Sequence, residues 1–185
     1  MTLKAAATTN LKNNLFQQPV FMDFQLSGAR YPKTEKGANK FLQMMNYDPH
    51  EIGLIEFTDS SLVFKNDAGE VMQEFAGNQI KGATLALTHS MVRSAPLKVL
   101  TNRYMFLLQL ETESGRVQVL NDDLSSIKPV AEWVSTNGVS VADPMSLLEQ
   151  GTFDWTELDE AKFMELAEGT EYTTPYQLGG SGPRN

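Results

Sequence analysis

The sequence predicts a mainly β protein with helices, an α+β chain in which an antiparallel meander of about seven strands is followed by a capping helix and helical extensions. Three observations predict it. From residue 52 the apolar residues recur with period two, as in Ile55 and Phe57, Leu62 and Phe64, and Val117 and Val119. Short turn-forming stretches, TDSS, NDAG and ESG, separate these runs. The period then becomes helical in Ile127, Val130, Ala131 and Val134, with Trp133 at the edge of the stripe.

Taken in order, residues 1–19 are polar, rich in Asn and Gln, and end in Pro19, which predicts a mobile N-terminal arm. Residues 20–50 read as an extension: VFMDFQL as a strand, then a short helix in TEKGANKFLQMMNY, capped by Thr34 and weakened by Gly37. Four strands follow, GLIEF, SLVFK, VMQEF and IKGATLALT. Gly69 suits the positive φ of a bulged hairpin turn, and Val71 and Phe75 are expected to point inward. Pro96 argues against a regular strand over 89–103, so that stretch reads as a loop. YMFLLQLE is apolar on both faces and should be central, whereas RVQVL alternates, with Arg116 and Gln118 outward. A helix is predicted over 126–136, with Ser126 as N-cap, Pro129 in the first turn and Asn137-Gly138 at the stop. Residues 138–185 read as an acidic helical extension with a frayed end. In it Asp143-Pro144 opens a short helix ended by Gly151. Asp154 and Glu157 form a capping box for a helix ending before Gly169, whose face is Trp155, Leu158, Phe163 and Leu166.

The chain has 185 residues, enough to bury a core without staples, and no cysteine, which excludes disulfides, thiolate metal sites and thiol nucleophiles. No apolar run approaches a membrane span, and the first residues lack a signal-peptide core, so a cytoplasmic protein is expected. The net charge of −8 is unevenly spread, +3 over residues 1–50, −2 over 51–120 and −9 over 121–185. So acidic a chain disfavours nucleic acid, whose phosphates need a basic surface.

His50 and His89 have no metal-ligand spacing, and Asp122 and Asp123 precede a helix, where acids complement the dipole. No phosphate loop, nucleophile elbow or dinucleotide fingerprint is present. No catalytic residue, metal or cofactor is therefore expected. Gln79 to Leu110 contains no acid. Strands are depleted in acids anyway, which accounts for both ends of the stretch but not for its middle. His89, Arg93, Lys98 and Arg103 are accordingly the candidate partner-binding loop. Trp155, Leu158, Phe163 and Leu166 are a candidate docking face, by which the acidic extension could meet the chain's own strands or a neighbouring copy's.

"GLIEFTDSSLVFKNDAGEVMQEFAGNQIKGA" followed by "YMFLLQLETESGRVQVLNDDLSSIKPVAEWV" resembles the pleckstrin-homology-like superfold, in particular its GRAM and bacterial PH-like branches. The matching positions are Thr58-Asp59, Leu62-Val63-Phe64, Gly69, Ile80, Gly115 and Trp133, within residues 51–137. The resemblance implies a partly open antiparallel barrel of about seven strands capped by a C-terminal helix, and a non-catalytic module that binds peptides, proteins or lipid headgroups. The basic cluster of phosphoinositide-binding members is missing from TDSS. The first reading is thus an intracellular protein-interaction or scaffolding module, self-association included. The alternatives are an adaptor for anionic membranes through Lys33, Lys36, Lys40 and the 93–103 stretch, with weak lipid binding at best, and a small-molecule carrier or enzyme with a pocket at the open barrel end.

Overall fold

The computed structural model describes residues 20–26, 52–66, 69–94, 99–121 and 123–174. The predicted arm over 1–19, the predicted helix over 34–47 and the frayed end from 175 on lie outside them, as do His50, Lys33, Lys36 and Lys40. Strands β1 (Val20–Leu26), β2 (Ile52–Phe57), β3 (Ser61–Asn66), β4 (Val71–Ala76), β5 (Ile80–Ser94), β6 (Val99–Thr112), β7 (Gly115–Asn121) and β8 (Ser140–Ala142) form one sheet. Its order is β4-β3-β2-β1-β7-β6-β5-β8. The fold is α+β, mostly strand, and the sheet is not closed into a barrel. Two α-helices are present among the described residues, α1 (Ile127–Thr136) and α2 (Glu160–Ala167).

β1 joins two meanders. It pairs with β7 from Phe21↔Leu120 to Leu26↔Gly115, and with β2 at Val20↔Gly53 and Phe21↔Ile52. Each backbone group on β1 that found no partner would be left unsatisfied inside the sheet. The segment read as an extension is therefore a central strand that gives β2 and β7 their inner neighbour.

Ile55 and Phe57, Leu62 and Phe64, and Val117 and Val119 are in the core as the alternation predicts, and β7 ends in a fully buried run over Val119, Leu120 and Asn121. Arg116 is on the outer face, paired with Glu111 at 2.8 Å, and Gln118 donates to Gln109. In β4 the expectation that Val71 points inward is corrected: Val71 is 55% exposed, and Met72 and Phe75 are buried. The reason is a bulge, since Phe64 pairs with Gln73 and Lys65 with Val71, leaving Met72 as the extra residue. A bulge of this kind reverses the in-out parity on one side of it.

β6 lies between β5 and β7, as its apolar sequence predicts. Leu85 to His89 and Met105 to Leu108 are buried consecutively, so both sides of this part of the β5–β6 ladder are covered. α1 closes the core with Ile127, Val130, Ala131, Trp133 and Val134. Its start differs from prediction. The Ser126 hydroxyl donates to the Asp123 carbonyl, and it is the Asp123 carboxylate that accepts from Ser125 N, capping a 3-10 turn over Leu124–Ser126 that leads into α1. Gly138, at φ +72, ends the helix as expected.

Trp133 is fully inside rather than at an edge. Its indole N–H donates to the Thr58 carbonyl at 2.7 Å, and its ring meets Phe57 edge to face at 5.5 Å. Thr58 in turn organises the TDSS turn, accepting from Ser61 N at 2.8 Å through its hydroxyl. One side chain thus fixes α1 to the β2–β3 hairpin. Gly77 lies close under α1 where the chain leaves β4, and a Cβ there would lie 3.0 Å from the Asn137 side chain, which would have to shift. Replacing Trp133 by Phe should keep most of the ring contact but leave the Thr58 carbonyl without its donor, costing about 1–3 kcal/mol in urea denaturation. A change below about 0.3 kcal/mol would show that this hydrogen bond does not hold α1 in place.

Candidate functional site

β5 and β6 pair from Gly82↔Glu111 to Ser94↔Val99 without interruption. This corrects the loop expected over 89–103: residues 89–94 and 99–103 are strand. In sequence, residues 95–98, with Pro96 and Lys98, separate the two strands, and they lie outside the described residues. Pro96 therefore removes no donor from the described ladder. β7 begins to pair with β6 only at Phe106↔Asn121, and β8 pairs with β5 only over Gly82, Ala83 and Thr84. From His89↔Tyr104 to Ser94↔Val99, then, the β5–β6 ladder continues as a two-stranded ribbon with no third strand among the described residues. At ~3.4 Å per residue this adds on the order of 20 Å.

Of the candidate residues His89, Arg93, Lys98 and Arg103, Lys98 lies outside the described residues and the other three fall at different points of the ribbon. Arg93 stands opposite Leu100 and Arg103 opposite Ser90, both on the ribbon. His89 is at its base and only 8% exposed. Its ring meets Phe163 of α2 nearly edge-on at 4.8 Å and Tyr104 at 6.4 Å, and Tyr104 and Phe163 are 5.1 Å apart. The three rings lock β5, β6 and α2 together. His89 Nδ1 is buried with no hydrogen-bond partner among the described residues. Burial lowers the pKa of His89 from its ordinary value, and the Glu160 carboxylate partly opposes this. Burial likewise raises Tyr104, with Glu160 and Asp159 adding to the effect and a hydrogen bond with Asn102 working against it.

The acidic extension packs on its own chain, but not as the single helix predicted. Asp154 caps only a 3-10 turn over Trp155–Glu157, accepting from Thr156 N at 2.9 Å. Leu158 is extended, and Asp159 opens α2 by accepting from Lys162 N at 2.8 Å. A second acceptor so soon after the first ends one turn and starts another. The expected face is accordingly divided. Phe163 and Leu166 are buried on α2, whereas Trp155 and Leu158 are partly buried against the core from the segment before it. The helix expected from Asp143 is instead a 3-10 turn over Leu147–Gln150. Both Asp143 carboxylate oxygens accept there, from Leu147 N and Leu148 N at 2.8 Å each, and Gly151 at φ +61 ends it.

A shallow open groove runs between Thr84, Gln109, Asp143 and the segment from Glu168 to Tyr172. Its Asp143 is already committed to the two amides, and Asp123 to its cap. No group of three His, Asp or Glu among the described residues could hold a metal ion, and no described helix is long and apolar enough to cross a membrane. No protein-family model and no curated protein sequence matches the chain. The residues that sequence reasoning missed are Tyr104 and Glu160, which meet His89 only through tertiary contact.

Phe163→Ala should cost about 3–5 kcal/mol, as for other fully buried rings, and Leu158→Ala less, since Leu158 is only partly buried. Urea denaturation of both variants checks this, and a loss under about 1 kcal/mol for Phe163→Ala would show that α2 is not anchored.

Proposed function

We infer that the chain is a non-catalytic protein-interaction module, PH-like in fold, that meets its partner through the β5–β6 ribbon. The PH-like reading is supported by the meander order β4-β3-β2-β1-β7-β6-β5 followed by a helix carrying Trp133, together with the sequence positions that resemble the superfold. The observation that carries the functional reading is the ribbon itself. Six pairs, from His89↔Tyr104 to Ser94↔Val99, extend beyond the strands that flank them. Exposed strand edges offer rows of backbone donors and acceptors, and added strands are a common mode of peptide recognition.

Charge gives this surface a preference. Residues 79–110 contain no Asp or Glu, while Arg93, Lys98 and Arg103 fall on or between the ribbon strands. An extended acidic segment of a partner is the complement, with backbone pairing supplying affinity and charge setting orientation and encounter rate. Tagged protein recovered from its native cells should lose its partners in an Arg93→Ala/Lys98→Ala/Arg103→Ala variant, with its melting temperature retained. Recovery of the same partners by both proteins would remove the ribbon as the binding surface.

A further inference from the structure

The base of the ribbon holds an arrangement that the interaction reading does not use. His89 is buried, its Nδ1 meets no acceptor, and the ring that covers it, Phe163, belongs to α2 rather than to the sheet. A neutral imidazole can leave one nitrogen as a bare lone pair. An imidazolium cannot, because both nitrogens then carry protons and both need acceptors.

We propose that His89 makes the seating of α2 pH-sensitive, its neutral ring completing the three-ring contact with Tyr104 and Phe163, and its protonation unseating α2 and uncovering the apolar base of the ribbon. Every charged group around the ring enters the balance. On β6 this is Tyr104, opposite His89, whereas Arg103 pairs with Ser90 on the other face of the ribbon. On α2 they are Asp159, whose carboxylate caps Lys162 N, Glu160, and Lys162, which is paired with Glu165 at 2.7 Å. The 3-10 turn over Glu171–Thr173 also packs on β5, but beside Thr84 and Gln109 and away from His89. Glu160 is the group that favours the cation at His89, and desolvation outweighs it.

The direction follows from linkage. With the seated pKa below the ordinary value of about 6.5, the unseated state binds the proton more readily. Seating is strongest above about pH 6.5 and weakens as pH falls from there toward the seated pKa, below which no further loss comes from His89. Unseating is local: α2 and the turn after it are held by Phe163, Leu166 and Ala167, while the β1–β7 and β6–β7 ladders do not depend on them.

Amide hydrogen exchange of the full chain between about pH 7.5 and about pH 5, referred to the intrinsic rate at each pH, tests this. Protection of residues 160–167 should fall severalfold on acidification, while that of β7 holds. His89→Leu keeps an apolar side chain in the site and should abolish the fall. An unchanged α2 in the wild type, or an equal fall in His89→Leu, overturns the proposal, the second assigning the effect to the carboxylates. Glu160→Gln gives a test that does not require the His89 variant to fold: without that carboxylate the imidazole resonance of His89 should titrate at lower pH, with the exchange transition moving alongside it. A titration midpoint that stays or rises, or an exchange transition that does not follow it, overturns the proposal as well.

Discussion

The placement of β1 is the constraint on which the rest of the sheet depends. An antiparallel meander is built locally, each strand folding back on the one before it, and the chain contains two such meanders, β2-β3-β4 and β5-β6-β7. Nothing local joins them. β1 does so by taking β7 from Phe21 to Leu26 and β2 at its first two residues, so a short segment early in the chain becomes the centre of the sheet. The contact is long-range and therefore entropically costly to form. It is repaid because it satisfies backbone groups on both neighbours and buries Met22 in the shared core.

Once the sheet is continuous, its two exposed flanks receive different treatment. The β2–β3 hairpin is fixed to α1 by Trp133, through the Thr58 carbonyl and the ring of Phe57. The β5 flank is partly covered by β8 and by the acidic segment, where α2 inserts Phe163 against His89 and Tyr104. Hydrophobic burial supplies the energy of this second closure. The carboxylates of Asp159 and Glu160 serve mainly to cap the helix and to set the electrostatics around His89, since exposed pairs contribute little. Beyond α2 the ribbon pairs with no third strand among the described residues.

These two features are linked by position. His89 and Tyr104 form the first pair of the free ribbon and also the seat of α2. Any force that displaces α2 changes the surroundings of the ribbon where it leaves the sheet. The acidic segment, which the composition alone marks as the opposite pole of the charge distribution, is thus a neighbour of the chain's acid-free stretch.

The sequence by itself determined the class and order of the elements: the period-two runs, the turns at TDSS and Gly69, the central position of β6, and the helix from residue 127 that Gly138 stops. These follow from alternation, backbone conformational limits and caps, all of which act over a few residues. Tertiary structure decided what depends on distant partners. Val71 is outside because of a bulge against β3. Residues 89–94 are strand because 99–104 lie beside them, Pro96 notwithstanding. The predicted C-terminal helix is broken because Asp154 and Asp159 each capture a local amide, with the apolar residues on either side reaching the core separately. His89 looked like one member of a basic loop because composition reports charge and spacing but not burial. The approach of Phe163, from 74 residues further along the chain, covers its ring.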